Sequence, residues 1–591
     1  LKYKLRNLYS IEPQLALQDI LIDRGVENIE TFLHPNKATC ELNPYDLDNI
    51  KEGAEMLLRH LRKDSSILWN VDPDTDGFTS SSILWLYCKH LFPNAKFEFR
   101  VHEHKEHGLS DLINWVEEKT RWDLIICPDS SSYDVNEHLR LGELGIDCLI
   151  LDHHNQLYDD DGNAIISTAP NTVIINNQLS PNYNNKSLCG AGVVYKFCEV
   201  LDDMLGIQQA QEYLDLVALG EIADVMDRTT SETNYLMLEG LKHIKNKGFQ
   251  TLLESQSFSL KEKATPPYTG LTPIDIAFYI APMINAITRV GTIQDKQALF
   301  YCFIEPDHEM PSTKRGAKEG DLELAAEQAA RVGKNAKSRQ DKIKEKAMDI
   351  IDFKIQKNGL LDNNILLIEL NDYDNIPSEM TGLVAMNVVS KYHKPCLIGR
   401  RNSNGEIAGS ARSDGNFAGL PSLKVFLEQS GFFNYAAGHD NAFGHSINEN
   451  KIDNFIEYAN KQLKAEDFEN CYLVDYILNA NDDNQELVAS LAAHPEFFGN
   501  HIDEVKFVVT NIPLSNIFVM GANKDSIKIS CNGIDYIRFK DSDFIEQVIN
   551  NRTALLTIYG RANLNNYMGK TTVQIFCDDY ELNENSSKYD F

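Results

Sequence analysis

The chain has 591 residues, 43% of them apolar and 24% charged, and its formal charge is −31. That length is too great for a single hydrophobic core and predicts roughly three to five domains, while the composition excludes a disordered or fibrous protein. The negative total argues against a general polyanion-coating protein, although it is compatible with a local basic groove, and a carboxylate-lined metal site would add to it.

The segment up to about Arg62 reads as helical, with apolar spacing through Leu15, Leu17, Ile20 and Leu21 and again through Met56, Leu57 and Leu61. Ser66–Val71 then reads as a strand that Gly77 breaks, and Thr79–Phe92 as a helix with Thr79 or Ser80 as its cap. Lys96–Val101, Asp123–Cys127 and Asp147–Leu151 are further strands, each separated from the last by a helical stretch. That alternation predicts an α/β domain with a mainly parallel sheet, whose site would lie beyond the carboxyl ends of its strands. Residues 188–250 read mostly as helices, and Lys263–Pro273 as a Pro-rich loop. Leu322–Lys354, rich in Ala, Glu, Lys and Gln, predicts one long helix suited to an arm between domains. A second α/β pattern runs from Asn364 to about Leu463. Beyond Tyr472, the runs Ser526–Cys531, Tyr536–Phe539, Ala554–Tyr559 and Thr572–Phe576 predict a small β-barrel.

The expected divisions are a helical leader over 1–62, a catalytic domain over 63–320, a connecting helix over 321–355, a smaller α/β domain over 356–465 and the barrel over 470–591. Eleven cysteines form no CxxC pair and read as reduced thiols of a cytoplasmic protein. No run of eighteen apolar residues and no signal-peptide layout occurs, so no membrane partner is expected.

The most informative stretch is Asn70–Gly77, NVDPDTDG, where Asp72, Asp74 and Asp76 alternate directly after an apolar strand. Like charges gathered there are unfavourable unless a cation neutralises them. A calcium loop counted from Asp72 would need glutamate at its twelfth position, where Ile83 stands, so an EF-hand is excluded. Asp129 follows a second apolar strand, Asp152-His153-His154 a third, and Asp224 lies on or beside a predicted helix. Each alone reads as a cap, a polar turn or a solvated helix residue. Their recurrence at equivalent strand ends favours a metal centre. Mixed carboxylate and imidazole ligands suit manganese, iron, zinc or magnesium better than calcium, and several bridging-capable acids suggest two ions, as used for in-line displacement at phosphorus.

These motifs resemble the DHH phosphoesterase superfamily and, within it, the RecJ type of single-strand-specific exonuclease, including its phage-encoded variety. The likeness runs over nearly the whole chain. It rests on Asp23-Arg24-Gly25-Val26 and Phe32-Leu33-His34-Pro35 near the start, on the four acid motifs, and on Ala281–Ala286 with Arg289. Gly409–Ser413 and Gly438-His439 resemble the second, DHHA1, domain, and Asn563–Asp579 the end of an OB-fold domain. The resemblance implies a parallel-sheet DHH domain, a long helix, a smaller α/β DHHA1 domain and a C-terminal OB-like β-barrel. It implies that Asp74, Asp76, Asp129, His153 and Asp224 bind divalent metal, two Mn²⁺ with Mg²⁺ as the alternative, and that Asp129 bridges. His154, Asp72 and Arg289 form the implied catalytic set; Ser410, Arg412, His439, Asn285 and Lys105 would bind substrate. The implied reaction is 5′-to-3′ hydrolysis of single-stranded DNA, with a single-strand binding protein or a helicase as protein partner.

The departures are Asn70 where many members carry histidine, His102–Ser110 (HEHKEHGLS) in place of a glycine-rich segment, and Ala437 before Gly438. Arg100, His102, His104 and Lys105 are the substitutes for a terminal-phosphate arginine. Tyr472, Phe507, Tyr536, Phe539 and Tyr567 are either base-stacking platforms or barrel core. Two other readings stand beside the nuclease: a phosphodiesterase of short oligonucleotides or cyclic dinucleotides, and an inactive scaffold.

Overall fold

The β/α alternation becomes a five-stranded, all-parallel sheet in the computed structural model, which describes residues 1–103, 107–110, 112–119, 121–158, 163–415, 417–468, 471–567 and 569–583. Its strands lie in the order Lys96–Val101, Ser66–Val71, Leu124–Pro128, Asp147–Asp152 and Thr172–Asn176. Residues along the strands alternate between two cores. Ile67, Trp69, Leu124, Ile126, Leu149 and Leu151 face one; Leu68, Ile125, Cys127, Cys148 and Ile150 face the other. Burial on both sides is why the strands read as unbroken apolar runs. The chain leaves Ser66–Val71 for the edge strand Lys96–Val101, then returns to the opposite side at Leu124–Pro128. Strand order therefore reverses between Val71 and Pro128, and a crevice opens there at the carboxyl ends.

The helix after the first strand spans Thr75–Leu91, one turn earlier than expected, and its cap is Asp74 rather than Thr79 or Ser80. The Asp74 carboxylate accepts the Gly77 amide at 3.0 Å, which satisfies one of the first-turn donors. Thr79 and Ser80 instead bond backbone carbonyls inside the helix.

The chain divides into two compact units: Leu21–Lys337 with His494–Glu504, and Leu1–Ile20 with Ser338–Ala493 and Val505–Phe591. One helix, Ala325–Lys357, carries the chain from the first into the second. The leader is not wholly helical. Lys2–Leu5 is a strand, paired in parallel with Cys471–Val474 of the same unit, Tyr3 opposite Tyr472.

The second unit holds two further sheets. One has five strands in the order Phe433–His439, Ala442–Asn448, Glu406–Arg412, Cys396–Arg401 and Leu366–Leu370, with only the last pair parallel. The other has seven, in the order Tyr476–Asn479, Lys506–Pro513, Leu555–Tyr567, Lys570–Asn583, Ile534–Arg538, Ser526–Cys531 and Ile517–Met520. Phe507 and Tyr536 are buried in this domain and serve its core, not base stacking. Phe539 is 55% exposed, and Tyr472 stacks on Tyr559 with centroids 4.0 Å apart. The Tyr567 side chain lies outside the described residues. Among the described residues no helix is long and apolar enough to cross a membrane.

Candidate metal centre

The crevice gathers side chains from all four motifs. Asp72, Asp74 and Asp129 bring one carboxylate oxygen each within 4.8 Å of one another. Asp76, His153 and Asp224 form a second such set, and Asp129, His153 and His154 a third. Asp129 and His153 each belong to two sets, so the three are one continuous cluster. His153 Nε2 lies 3.1 Å from Asp129 Oδ1, 3.5 Å from Asp224 Oδ2 and 3.8 Å from Asp76 Oδ2.

The local sequence explains each placement. Asp76 is fixed by the start of the Gly190–Leu205 helix, whose Gly190 and Ala191 amides donate to its two oxygens at 2.5 and 2.9 Å. A helix N-terminus is a natural anion holder. Asp129 has a left-handed backbone, φ +70°, and Ser131 has φ +83°. Such strain in non-glycine residues is retained where it aims a functional group. Asp152 does not join the ligand sets. It accepts from the Ser132, His153 and His154 amides and from His154 Nδ1, at 2.7 to 3.2 Å, and so organises the turn that presents both imidazoles.

Electrostatics show what the cluster is suited to hold. Burial, then the charges of Asp76, Asp74, Asp72 and Asp224, push the Asp129 carboxyl well above its ordinary range. Burial, then the charges of Asp76 and Asp74, raise Asp224 to about 8. Asp72 Oδ1 and Asp129 Oδ1 are buried and accept no well-directed hydrogen bond, the 3.1 Å approach of His153 Nε2 to Asp129 Oδ1 included. Orphaned buried carboxylate oxygens are costly, and here they point into one cluster with an imidazole, the donor set of a divalent cation. Burial depresses the basicity of His153, keeping it the neutral imidazole a metal requires. The bond to Asp152 raises His154 to about 9, so it is an imidazolium at neutral pH.

On the Ala281–Val290 helix, Asn285 and Arg289 stand one turn apart. Asn285 Oδ1 accepts from Thr75 Oγ1 at 2.8 Å, beside the first motif. Burial lowers the Arg289 guanidinium, and the Asp74 charge opposes that shift. Ser410 and Arg412 belong to the other unit, two apart on the strand Glu406–Arg412, with Ser410 Oγ 2.9 Å from Thr381 Oγ1. His439 ends the strand Phe433–His439 opposite Ala442. Lys105 and His104 lie outside the described residues.

Several contacts of the site escaped sequence reasoning. Three glycines touch three acids: a Cβ on Gly77, Gly190 or Gly220 would come within 2.7 Å of Asp72, Asp129 or Asp76 respectively. His107 Nδ1 bonds Asp72 Oδ2 at 2.6 Å. Asn70 donates to Gly108 O at 2.9 Å and accepts from Arg100 at 3.3 Å, so it braces the same loop. The buried Lys296 ammonium donates to the carbonyls of His102 and Glu103 at 2.9 and 2.8 Å. Only the glycine signal of a tight approach, as in Cys189-Gly190-Ala191-Gly192, was there to be read.

Residues 66–221 match the DHH family, N-terminal domain, and residues 474–579 match the RecJ OB domain. YorK of Bacillus subtilis (strain 168), provisionally named an SPbeta prophage-derived single-strand DNA-specific exonuclease, is 33% identical over 589 residues, 98% of this chain and 96% of that protein. The chain belongs to the RecJ family. The single-stranded-DNA-specific exonuclease RecJ of Bacillus subtilis (strain 168) is 24% identical over 594 residues, 97% of this chain and 68% of that protein. RecJ from Thermus thermophilus, solved in complex with Mn²⁺, shares the fold with a TM-score of 0.66 at 19% identity, over 95% of this chain and 75% of that one. This member of the RecJ family thus combines an α/β DHH domain with a C-terminal OB domain.

Proposed function

We propose that this RecJ-family chain is a metal-dependent exonuclease that hydrolyses single-stranded DNA from its 5′ end with two divalent ions. The observation that carries the reading is the joined ligand cluster, with its two orphaned carboxylate oxygens, at the sheet's switch point. Asp74, Asp76, Asp129, His153 and Asp224 would hold the ions, Mn²⁺ by preference for a mixed oxygen and imidazole set. Such ions, when bound, neutralise charge at the phosphoryl group and lower the pKa of an attacking water.

The chain's own groups do the rest. Two helix-terminal amides fix Asp76, so one ligand is set before any ion arrives. His154, charged through its bond to Asp152, offers a proton donor to the non-bridging oxygens of the scissile phosphate, where negative charge builds in the transition state. Arg289 offers a directed fork to the same phosphate. Ser410 and Arg412 would receive the 5′ end. The OB domain extends the track for a single strand, and the half-exposed Phe539 supplies a ring on which bases can stack.

Digestion of single-stranded oligonucleotides labelled at either end, with Mn²⁺, Mg²⁺ or EDTA, tests this beside Asp129→Ala. Early release of the 5′ label that needs both metal and Asp129 is expected. Early 3′ release overturns the polarity. Cleavage of a dinucleotide or cyclic dinucleotide but not of an oligonucleotide overturns the polymer reading.

A further inference from the structure

The helix that delivers Asp224, Leu214–Ala223, ends in an unusual way. The Val225 amide bonds Ile222 O and the Met226 amide bonds Glu221 O, the double closure of a Schellman motif. That motif places one residue in the left-handed region, where glycine is the norm. Here the residue is Val225, φ +57°, β-branched and 56% exposed. A β-branched residue in this conformation is an outlier that persists only when its surroundings over-determine it.

The surroundings come from far along the chain. Within the first unit, the stretch His494–Glu504 lies against this helix end. Asn500 Nδ2 donates to Glu221 O at 3.2 Å and Ile222 O at 3.3 Å, the two carbonyls that already close the motif. The His501 ring sits with Nε2 3.1 Å from Val225 O. Fully buried Arg228 donates to the carbonyls of Glu496 and Phe498 at 2.9 and 3.0 Å, and it is held in turn by Asn234. The loop is itself bent for the purpose, with φ +100° at Gly499, +45° at Asn500 and +71° at His501.

We propose that Asn500 and His501 are positioning residues for the metal centre, a brace that fixes the strained turn at Val225 and so holds Asp224 against Asp76 and His153. This rests on the reading of Asp224 as a metal ligand. Neither residue touches the ligand cluster; both act through the backbone on each side of Asp224. The segment therefore contributes to metal affinity, although its sequence lies within the stretch that matches the OB domain.

Mn²⁺ binding to the metal-free, full-length chain, measured by calorimetry, provides the test. Asn500→Ala should weaken Mn²⁺ binding about 10- to 100-fold, the range for removing an outer-shell partner, with the KM for an oligonucleotide at saturating Mn²⁺ changed less than twofold. Adding Val225→Gly should return most of the loss, because glycine holds φ +57° unaided. A role in fold stability alone would lower the melting temperature of Asn500→Ala and leave its Mn²⁺ affinity within twofold of the parent, which overturns the brace. Failure of Val225→Gly to recover any affinity overturns it too. Should Asn500→Ala not fold, His501→Ala removes one bond from an exposed ring; a loss of a few fold is expected, and none overturns the proposal. A parent chain that binds Mn²⁺ through Asp224, judged by Asp224→Asn, yet digests no DNA would sink the exonuclease reading and leave the brace standing.

Discussion

Gly190→Ala tests how tightly the centre is packed without touching any ligand. The new Cβ would stand 2.7 Å from Asp129 Cβ, 2.9 Å from Asp129 Cα and 2.9 Å from Asp129 Oδ1. Carbon atoms rest about 3.5–4.0 Å apart, so Asp129 or the helix must yield by about 0.8–1.3 Å. A rotamer change alone gives no relief, because one of the three atoms is backbone, and that backbone is already left-handed at φ +70°. The helix cannot retreat freely either, since Gly190 and Ala191 hold Asp76. Overpacking of this kind costs about 1–3 kcal/mol of stability. A positioned group moved by about 1 Å loses about 100-fold in rate, or about 2.7 kcal/mol of transition-state stabilisation. The assay is initial-rate digestion of a 5′-labelled oligonucleotide across a Mn²⁺ titration, with calorimetric Mn²⁺ binding alongside. Gly145→Ala is the control: φ is +72° and nothing lies within 4 Å of its Cβ, so it should cost stability but neither rate nor affinity. Parent-like rate and affinity in Gly190→Ala would refute the claim that close packing sets Asp129.

Four further outcomes follow from the same geometry. Asp129→Asn should abolish digestion, yet raise the metal-free melting temperature by removing a carboxyl whose ionisation the folded cluster opposes; a lower melting temperature would contradict the electrostatic account. Asp224 titrates near 8 when folded against 3.8 ordinarily, so its protonated form favours folding. The metal-free chain should lose stability as pH rises from about 4 through 8, whereas Mn²⁺ affinity should rise over the upper part of that window with proton release, seen as a buffer-dependent binding enthalpy. His154, protonated below about 9, should give an activity that falls as pH passes that value. His154→Gln should lower kcat about 100-fold and remove that limb, as for a lost transition-state donor. Arg412→Ala should raise KM for a 5′-phosphorylated strand about tenfold and leave a 5′-hydroxyl strand nearly unaffected, because a guanidinium–phosphate fork is charge-assisted; equal effects on both ends would remove Arg412 from the terminal-phosphate role.

The five-stranded parallel sheet was legible because strands buried on both faces are short, continuous apolar runs, and the acids sit at their ends in plain view. The start of the Thr75–Leu91 helix was not, because Asp74 acts as both cap and cluster member while Thr79 and Ser80 mimic a cap one turn late. Thr172–Asn176 follows the Pro170-Asn171 turn, but its five residues are too few for a periodic pattern and no site residue marks its end. The strand Lys2–Leu5 exists only through a partner more than 460 residues away, and no local pattern announces such pairing. The same holds inside the site. Gly190 owes its identity to Asp129, and Asn500 to the end of a helix 279 positions earlier, so spacing along the sequence says nothing about either.

The two units trade chain segments: Leu1–Ile20 counts with the second, and His494–Glu504 with the first. No single cut therefore yields either unit whole, and the order of synthesis matters. Every proposed metal ligand has been synthesised by residue 224, but the segment that completes their unit follows only near residue 500. A product terminated early would carry all the ligands and lack the piece that settles the last of them. Such a product should bind Mn²⁺ no more tightly than Asn500→Ala does, so the order of synthesis puts full metal affinity near the end of translation.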